Sequence, residues 1–177
     1  MNKSEARIYS LDLRKKEDSN ISSKNVIKQI VDSNILSNFS NIGIYYPLGN
    51  EISIIDLLDI YPNKKFYLPI TRDRLYFIEY NKNDSLVNAK FHTKEPKGKI
   101  VKRDEIDCFI IPCVGISYEM KRIGYGKGYY DKYLSNYKGY KIGITYNSSF
   151  NLDVLLDDYD LKLDLVFKGW FYWLVLL

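Results

Sequence analysis

The feature that most constrains this chain is an apolar run that delivers a glycine-rich loop to a helix. Cys108 to Val114 reads as a buried strand, and after a short connection comes Arg122-Ile-Gly-Tyr-Gly-Lys-Gly-Tyr-Tyr-Asp131. A strand, a glycine loop and a helix in that order belong to α/β architectures, where such loops lie at the carboxyl ends of strands. Three of the ten glycines, Gly124, Gly126 and Gly128, alternate here. Glycines allow sharp turns and close approach of backbone N–H groups to a ligand. Lys127 adds a mobile positive charge, and the following helix offers the positive end of its dipole. The combination suits a polyphosphate. Neither familiar phosphate motif fits, however. The Walker pattern needs a glycine at 121, which is Lys, and Ser or Thr at 128, which is Gly; the dinucleotide fingerprint needs glycine at 129, which is Tyr.

The rest of the chain alternates between helix and strand patterns. Residues 3–17 read as a first helix, with Lys3, Arg7 and Arg14 near one face at spacings of four and seven. By pattern alone this is a solvated basic face. A second helix is expected to start at Ser22 or Ser23, with Val26, Ile27, Ile30 and Val31 as its apolar stripe. Asn41 to Tyr46 reads as a strand, Pro47 to Asn50 as a turn, and Glu51 as the first residue of a short helix carrying Ile54, Ile55, Leu57 and Leu58. In that place a carboxylate would serve the helix dipole. Lys65 to Pro69 and Arg74 to Tyr80 suggest a hairpin, and residues 81–99 a loop over the sheet end. After Gly128, Tyr130, Tyr133, Leu134 and Tyr137 recur with helical period and should face the core. Tyr129 falls off that stripe, so its ring is expected to face a ligand. Lys138-Gly139 is the expected helix end, and Tyr140 to Ile144 a further strand. These patterns predict an α/β three-layer sandwich with a largely parallel open sheet and an antiparallel edge pair.

Composition narrows the partners. A chain of 177 residues suits a single domain, and no internal boundary is visible. A net charge of +4, from 26 basic and 22 acidic residues, is too mild for a nucleic-acid binder but compatible with anionic small ligands. The 17 tyrosines are scattered and read as background composition. Cys108 and Cys113 share one strand, where residues five apart lie roughly 16 Å from each other, too far for a disulfide. They read as buried thiols of a reducing compartment. With His92 the single histidine, no zinc site is expected. Met1 to Lys16 is polar throughout, so no signal peptide is expected. The apolar tail from Lys168 to Leu177 is too short to span a bilayer and should pack on the domain or on a second subunit.

Arg122-x-Gly-x-Gly-Lys-Gly-Tyr-Tyr-Asp131, followed by Lys132, Tyr133 and Leu134, resembles the signature of the 5-formyltetrahydrofolate cyclo-ligase family, also called 5,10-methenyltetrahydrofolate synthetases. The likeness is specific over Arg122 to Leu134 and looser from Lys3 to Asp164. It implies a fold of the kind already predicted. Lys3 and Arg7 match the family's Lys-x-x-x-Arg on a first helix that reaches the nucleotide. The resemblance implies ATP binding by these two and by Arg122, Gly124, Tyr125, Gly126, Lys127, Gly128, Tyr129 and Tyr130, with Lys127 and Arg122 as the catalytic charges. Tyr45-Tyr-Pro47 to Glu51 resembles the family's Tyr-x-Pro-x-x-x-Glu, in which the Glu contacts the folate pteridine. Tyr46, Glu51 and Tyr129 are therefore the expected folate residues. Asp131 and Asp160 match the positions that hold magnesium. Tyr159 stands where the family has His, Lys168-Gly169 where it has Thr-Glu, and the Gln expected after Tyr146 is missing.

The reaction so implied is ATP-dependent cyclisation of 5-formyltetrahydrofolate to 5,10-methenyltetrahydrofolate, with ADP and phosphate released. The partners would be 5-formyltetrahydrofolate, ATP and Mg2+, with no nucleic acid or membrane, and the protein a cytoplasmic monomer. Two other classes stay open on the residues themselves. One is an α/β protein acting on another phosphate or nucleotide, which would not depend on Glu51. The other is a non-catalytic folate-binding or RNA-associated module, which would have no need of Lys127 and Asp131.

Overall fold

A computed structural model describes residues 1–170. In chain order the elements are α1 (Lys3–Arg14), α2 (Ser19–Ser33), β1 (Asn41–Gly43), α3 (Leu57–Ile60), β2 (Lys65–Thr71), β3 (Leu75–Glu79), β4 (Leu86–Asn88), β5 (Lys94–Pro96) and β6 (Ile100–Val101). They continue with β7 (Cys108–Pro112), β8 (Gly115–Ile116), β9 (Arg122–Ile123), α4 (Tyr129–Tyr133), β10 (Tyr140–Tyr146) and β11 (Leu165–Gly169). A sheet of seven strands runs in the order β11-β10-β7-β1-β2-β3-β6. The strands from β11 to β2 pair in parallel, and β3 and β6 add an antiparallel edge. The predicted sandwich and its antiparallel edge are both present.

Strand alternation splits the core between two faces. Phe66, Leu68, Cys108 and Ile110 join Val26 and Ile30 of α2 and Leu57 of α3 on one face. Tyr67, Phe109 and Ile111 join Leu134, Tyr137, Leu161 and Leu163 on the other. Helix α1 covers neither. Its Ala6 is buried in a third, small cluster with Ile123, Leu152, Val154 and Leu156, beyond the sheet.

Several boundaries differ from those the sequence predicts, each for a local reason. Asn2 and Glu5 form a capping box that starts α1, which stops at Arg14 instead of residue 17. Helix α2 begins at Ser19 because the Asp18 carboxylate accepts from the N–H groups of Asn20 and Ile21. Ser22 and Ser23 thus lie inside the helix, and the Ser23 hydroxyl donates to the Ser19 carbonyl. Glu51 starts no helix, since α3 begins only at Leu57. The segment 81–99 carries the β4–β5 hairpin, and β8 and β9 pair in the connection before the glycines. Helix α4 ends at Tyr133, well short of Lys138-Gly139. Tyr137 still reaches the core, held by a hydrogen bond from its hydroxyl to the Ile106 carbonyl at 2.5 Å.

Lys168 and Gly169 complete β11, and the Lys168 ammonium lies 4.2 Å from the Phe150 ring centroid and 5.6 Å from that of Trp170. The packing expected of the tail beyond Trp170 lies outside the described residues.

The core makes two testable statements. Phe109 meets Phe77 and Tyr137 edge-on at 4.9 and 5.0 Å. Phe109→Ala should therefore cost about 3–5 kcal/mol, read as a lower urea midpoint with unchanged slope. Both cysteines are free and buried. Burial pushes the Cys113 thiol up to about 11 and raises Cys108 as well. With so little thiolate at pH 8, neither should react with a thiol-specific disulfide reagent in the native protein, and both should react in denaturant.

Candidate active site

The chain leaves β1 towards β2 and leaves β7 towards β10, on opposite sides, so a crevice opens at the carboxyl ends of these strands. A cavity of about 300 Å³ occupies it. Tyr45 and Tyr46 enter it from beyond β1, Pro69 and Thr71 from β2, and Pro112 from β7. The β4–β5 hairpin supplies one wall, with the Lys94 ammonium 5.5 Å from the Tyr46 ring centroid. Arg122, Tyr125, Lys127, Gly128, Tyr129 and Tyr130 close the opposite side. Aromatic walls and few polar groups suit a flat, partly apolar ring system.

The principal polar group in that cavity is Glu51, which is 7% exposed. A tight turn aims it. The Leu48 N–H donates to Glu51 Oε2 at 2.8 Å, and the Glu51 N–H donates to the Leu48 carbonyl at 3.1 Å. The turn is tied down in its turn: the Asn50 amide donates to the carbonyls of Arg14 and Glu17, and the Tyr146 hydroxyl donates to the Asn50 carbonyl. Burial raises the Glu51 pKa, opposed by the Leu48 N–H, Arg14, the Tyr125 hydroxyl and Arg122. Because Glu51 lies in no helix, dipole stabilisation cannot account for it. A buried carboxylate facing an aromatic cavity is a ready acceptor for paired N–H donors.

The glycine loop forms the partition between this cavity and a second one. Gly126 and Gly128 have φ of +100° and +67°, which side chains at these positions would resist. The Arg122 guanidinium is buried. It donates from Nε to the Pro112 carbonyl at 3.0 Å, and its Cζ lies 4.9 Å from the Tyr130 ring centroid. A Cβ at Gly124 would come within 2.3 Å of Arg122 Nη1, so this glycine makes room for the arginine.

The second cavity, about 340 Å³, is lined by Lys3 and Arg7 of α1, by Gly124, Gly126 and Gly128, and by Asp131, Lys132, Ser135, Tyr159 and Asp160. Arg7 Nε donates to the Gly124 carbonyl at 2.7 Å. Lys3 pairs with Asp160, whose other oxygen accepts from the Asp157 N–H at 2.9 Å. Asp131 accepts weakly from the Leu161 N–H at 3.3 Å and stands 3.8 Å from Arg122 Nη1. The basic face of α1 is therefore turned to a cavity, not simply to solvent. Helix α4 is shorter than expected, about one and a half turns, so its dipole is small. Positive charge here comes from the side chains of Lys3, Arg7 and Lys132 rather than from a helix end.

The expected residues divide between the two cavities. Lys3, Arg7, Gly124, Gly126, Asp131 and Asp160 line the second; Tyr46, Glu51, Arg122, Tyr125, Lys127, Tyr129 and Tyr130 line the first; Gly128 lines both. Tyr125, Tyr129 and Tyr130, expected at the nucleotide, thus face the cavity that holds Glu51. Among the described residues no three His, Cys, Asp or Glu side chains cluster as a metal cage. Asp131 and Asp160 nonetheless present hard oxygen ligands in one cavity, which fits Mg2+ carried in on phosphates, since that ion takes only one or two carboxylates. Sequence reading placed Arg14 on the basic face but gave it no part in the site. It is buried, donating from Nη1 to the Tyr125 hydroxyl at 2.7 Å and from Nη2 to the Cys113 carbonyl at 2.9 Å. Its spacing from Arg7 was the available signal.

Known proteins share this sequence pattern and fold. The sequence model of the 5-formyltetrahydrofolate cyclo-ligase family matches residues 6–169, which leaves Lys3 just outside the matched span. The 5-formyltetrahydrofolate cyclo-ligase of Mycoplasma pneumoniae is 35% identical over 132 residues, covering 71% of this chain and 70% of that protein. Among solved structures, the 5,10-methenyltetrahydrofolate synthetase of Aquifex aeolicus superposes with a TM-score of 0.81 at 26% identity, over 94% of this chain and 89% of that one. The Mycoplasma pneumoniae synthetase gives 0.76 at 27% identity, over 94% and 98%. By its matched sequence and its fold, this chain belongs to the 5-formyltetrahydrofolate cyclo-ligase family.

Proposed function

We propose that this protein is a ligase that cyclises 5-formyltetrahydrofolate to 5,10-methenyltetrahydrofolate at the expense of ATP, releasing ADP and phosphate. The observation that carries the reading is the pair of cavities meeting at Gly128, one walled by aromatic rings around a buried carboxylate, the other lined by glycines with Lys3 and Arg7 beside Asp131 and Asp160. In this reading the pteridine lies against Tyr46 and Tyr129, with two of its N–H groups donating to Glu51. The phosphates lie along the glycines in the second cavity, gripped by Lys3 and Arg7. The γ-phosphoryl group then meets the formyl group where the cavities join.

The chemistry asks the protein for alignment and charge neutralisation. The formyl oxygen attacks the γ-phosphorus, the bond to the β-phosphate bridge oxygen breaks, and ADP leaves. N10 then attacks the formyl carbon of the imidoyl phosphate, the carbon–oxygen bond breaks, phosphate departs, and N10 gives up its proton. Arg122 and Lys127 stabilise the phosphoryl oxygens as charge shifts. The fixed Arg122 serves without reorganisation, because the Pro112 carbonyl and the Tyr130 ring already hold it. Asp131 and Asp160 would hold Mg2+, which neutralises phosphate charge when bound. We read the protein as a single catalytic domain working on free small molecules in the cytoplasm; no helix among the described residues is long and apolar enough to cross a membrane.

Incubation of the purified protein with 5-formyltetrahydrofolate, ATP and Mg2+ tests the proposal. Methenyl-folate absorbance should grow in step with ADP, and the absence of both would overturn it. In the same assay Lys127→Ala should fold normally yet turn over roughly a hundredfold more slowly, as when a transition-state charge partner is lost. Asp131→Asn should shift the dependence on free Mg2+ to higher concentration at saturating ATP, with little change in melting temperature. An unshifted Mg2+ curve would remove Asp131 from the metal.

A further inference from the structure

The basic face of α1 carries a third residue whose position has a different consequence. Arg14 lies seven residues after Arg7, two turns along the same face. The two arginines grip the glycine loop at adjacent residues. Arg7 holds the Gly124 carbonyl on the side of the second cavity. Arg14 holds the Tyr125 hydroxyl on the side of the first. That hydroxyl in turn donates to Glu51 Oε1 at 3.0 Å. The tyrosine thus stands between a buried guanidinium and a buried carboxylate, accepting from one and donating to the other.

Tyr125 sits between Gly124 and Gly126, on a backbone that is otherwise free to swing. Its side chain is 43% exposed, so packing alone does not fix it. Arg14, by contrast, is 6% exposed, and its Cζ lies 5.8 Å from the ring centroids of both Tyr125 and Tyr146. Behind Glu51, a cavity of about 10 Å³ is lined by Arg14, Glu51 and Thr145, and the Arg14 Nε and Thr145 Oγ1 have no partner within the protein. That space suits a single water. The charge of Glu51 is met by the Leu48 N–H on one oxygen and, through Tyr125, by Arg14 on the other, without direct ion pairing.

We infer that Arg14 and Tyr125 are positioning residues that hold the Glu51 carboxylate and lock the glycine loop to it, so that binding in one cavity favours binding in the other. The inference rests on the reading of the first cavity as the folate site. The Arg7–Gly124 and Tyr125–Glu51 contacts are made together, on adjacent residues of one loop, so a ligand that strengthens one supports the other. By linkage, folate must aid nucleotide binding by the same factor.

The test is calorimetric titration of 5-formyltetrahydrofolate, with and without a non-hydrolysable ATP analogue and Mg2+, across pH 5 to 8. It compares wild type with Tyr125→Phe, which keeps the ring, and Arg14→Lys, which keeps the buried charge. Groups facing Glu51 are Arg14 from α1, Tyr45 after β1, Cys113 after β7, Arg122 and Tyr125 from the loop region, Tyr130 from α4 and Tyr146 from β10. Of these, Arg14, the Tyr125 hydroxyl and Arg122 favour the ionised carboxylate, so loss of the Tyr125 hydroxyl or of the Arg14 contact raises its pKa. In Tyr125→Phe, folate affinity should fall about tenfold, as for a lost hydrogen bond to a charged group. The acid limb of binding should move to higher pH, and the severalfold tightening that the analogue gives wild type should vanish. Arg14→Lys should show the same changes in weaker form. Equal affinity, pH limb and analogue effect in Tyr125→Phe and wild type would overturn the inference alone. So would a fall in affinity with the acid limb unmoved, which is the mark of lost packing, or a wild type indifferent to the analogue. A wild type that fails to bind 5-formyltetrahydrofolate would overturn the functional reading, and this inference with it.

Discussion

The site depends on hydrogen bonds from one helix to one loop. Helix α1 covers no face of the sheet; its apolar burial is a small cluster around Ala6, and its other buried residues, Ser10 and Arg14, are polar. What it contributes is a row of cations delivered to the glycine partition. Arg7 takes the Gly124 carbonyl, Arg14 takes the Tyr125 hydroxyl, and Lys3 pairs with Asp160 across the second cavity. A loop with three glycines has little intrinsic rigidity, so these contacts define its shape. They also join the amino end of the chain to a segment more than a hundred residues later. The two cavities exist as separate compartments because this loop is held where it is.

The second organising constraint is the direction of the strands. All five parallel strands end on the same side, and β1 and β7, adjacent in the sheet, send the chain opposite ways. The crevice between them needs no special sequence beyond the strands themselves. Its walls include five tyrosines, which no periodicity of the sequence groups. Tyr45, Tyr125 and Tyr130 are brought together there, and burial raises each phenol, Tyr125 to about 12. All three stay neutral at ordinary pH and offer hydroxyl donors beside flat rings. A tyrosine content that reads as scattered background is thus partly the wall of one cavity.

Membership of the cyclo-ligase family rests on the matched span and on the superposed structures, and both leave residue roles to be decided by geometry. The division of the expected nucleotide residues is the clearest case. Tyr125, Tyr129 and Tyr130 sit next to the glycines in sequence, yet their side chains turn to the aromatic cavity. Tyr125 turns there from the loop, and Tyr129 and Tyr130 from the first turn of α4, while the glycines line the second cavity.

The sequence by itself determined the strand–loop–helix order around Arg122 to Asp131, the two-faced apolar pattern of the strands, and hence the α/β sandwich. These are local periodicities, legible because each residue's burial follows from its neighbours. The Asp18 cap moved the start of α2 to Ser19, and the turn at Leu48 kept Glu51 out of any helix. Only the tertiary structure decided which cavity each side chain enters, and that Arg14 belongs to the site at all. Such choices rest on contacts between residues far apart in the chain: Arg14 with Tyr125, Tyr125 with Glu51, Lys3 with Asp160. Spacing put Arg14 on the face of Lys3 and Arg7, but no period records these partners, because they arise from the way the sheet brings separate segments to one edge.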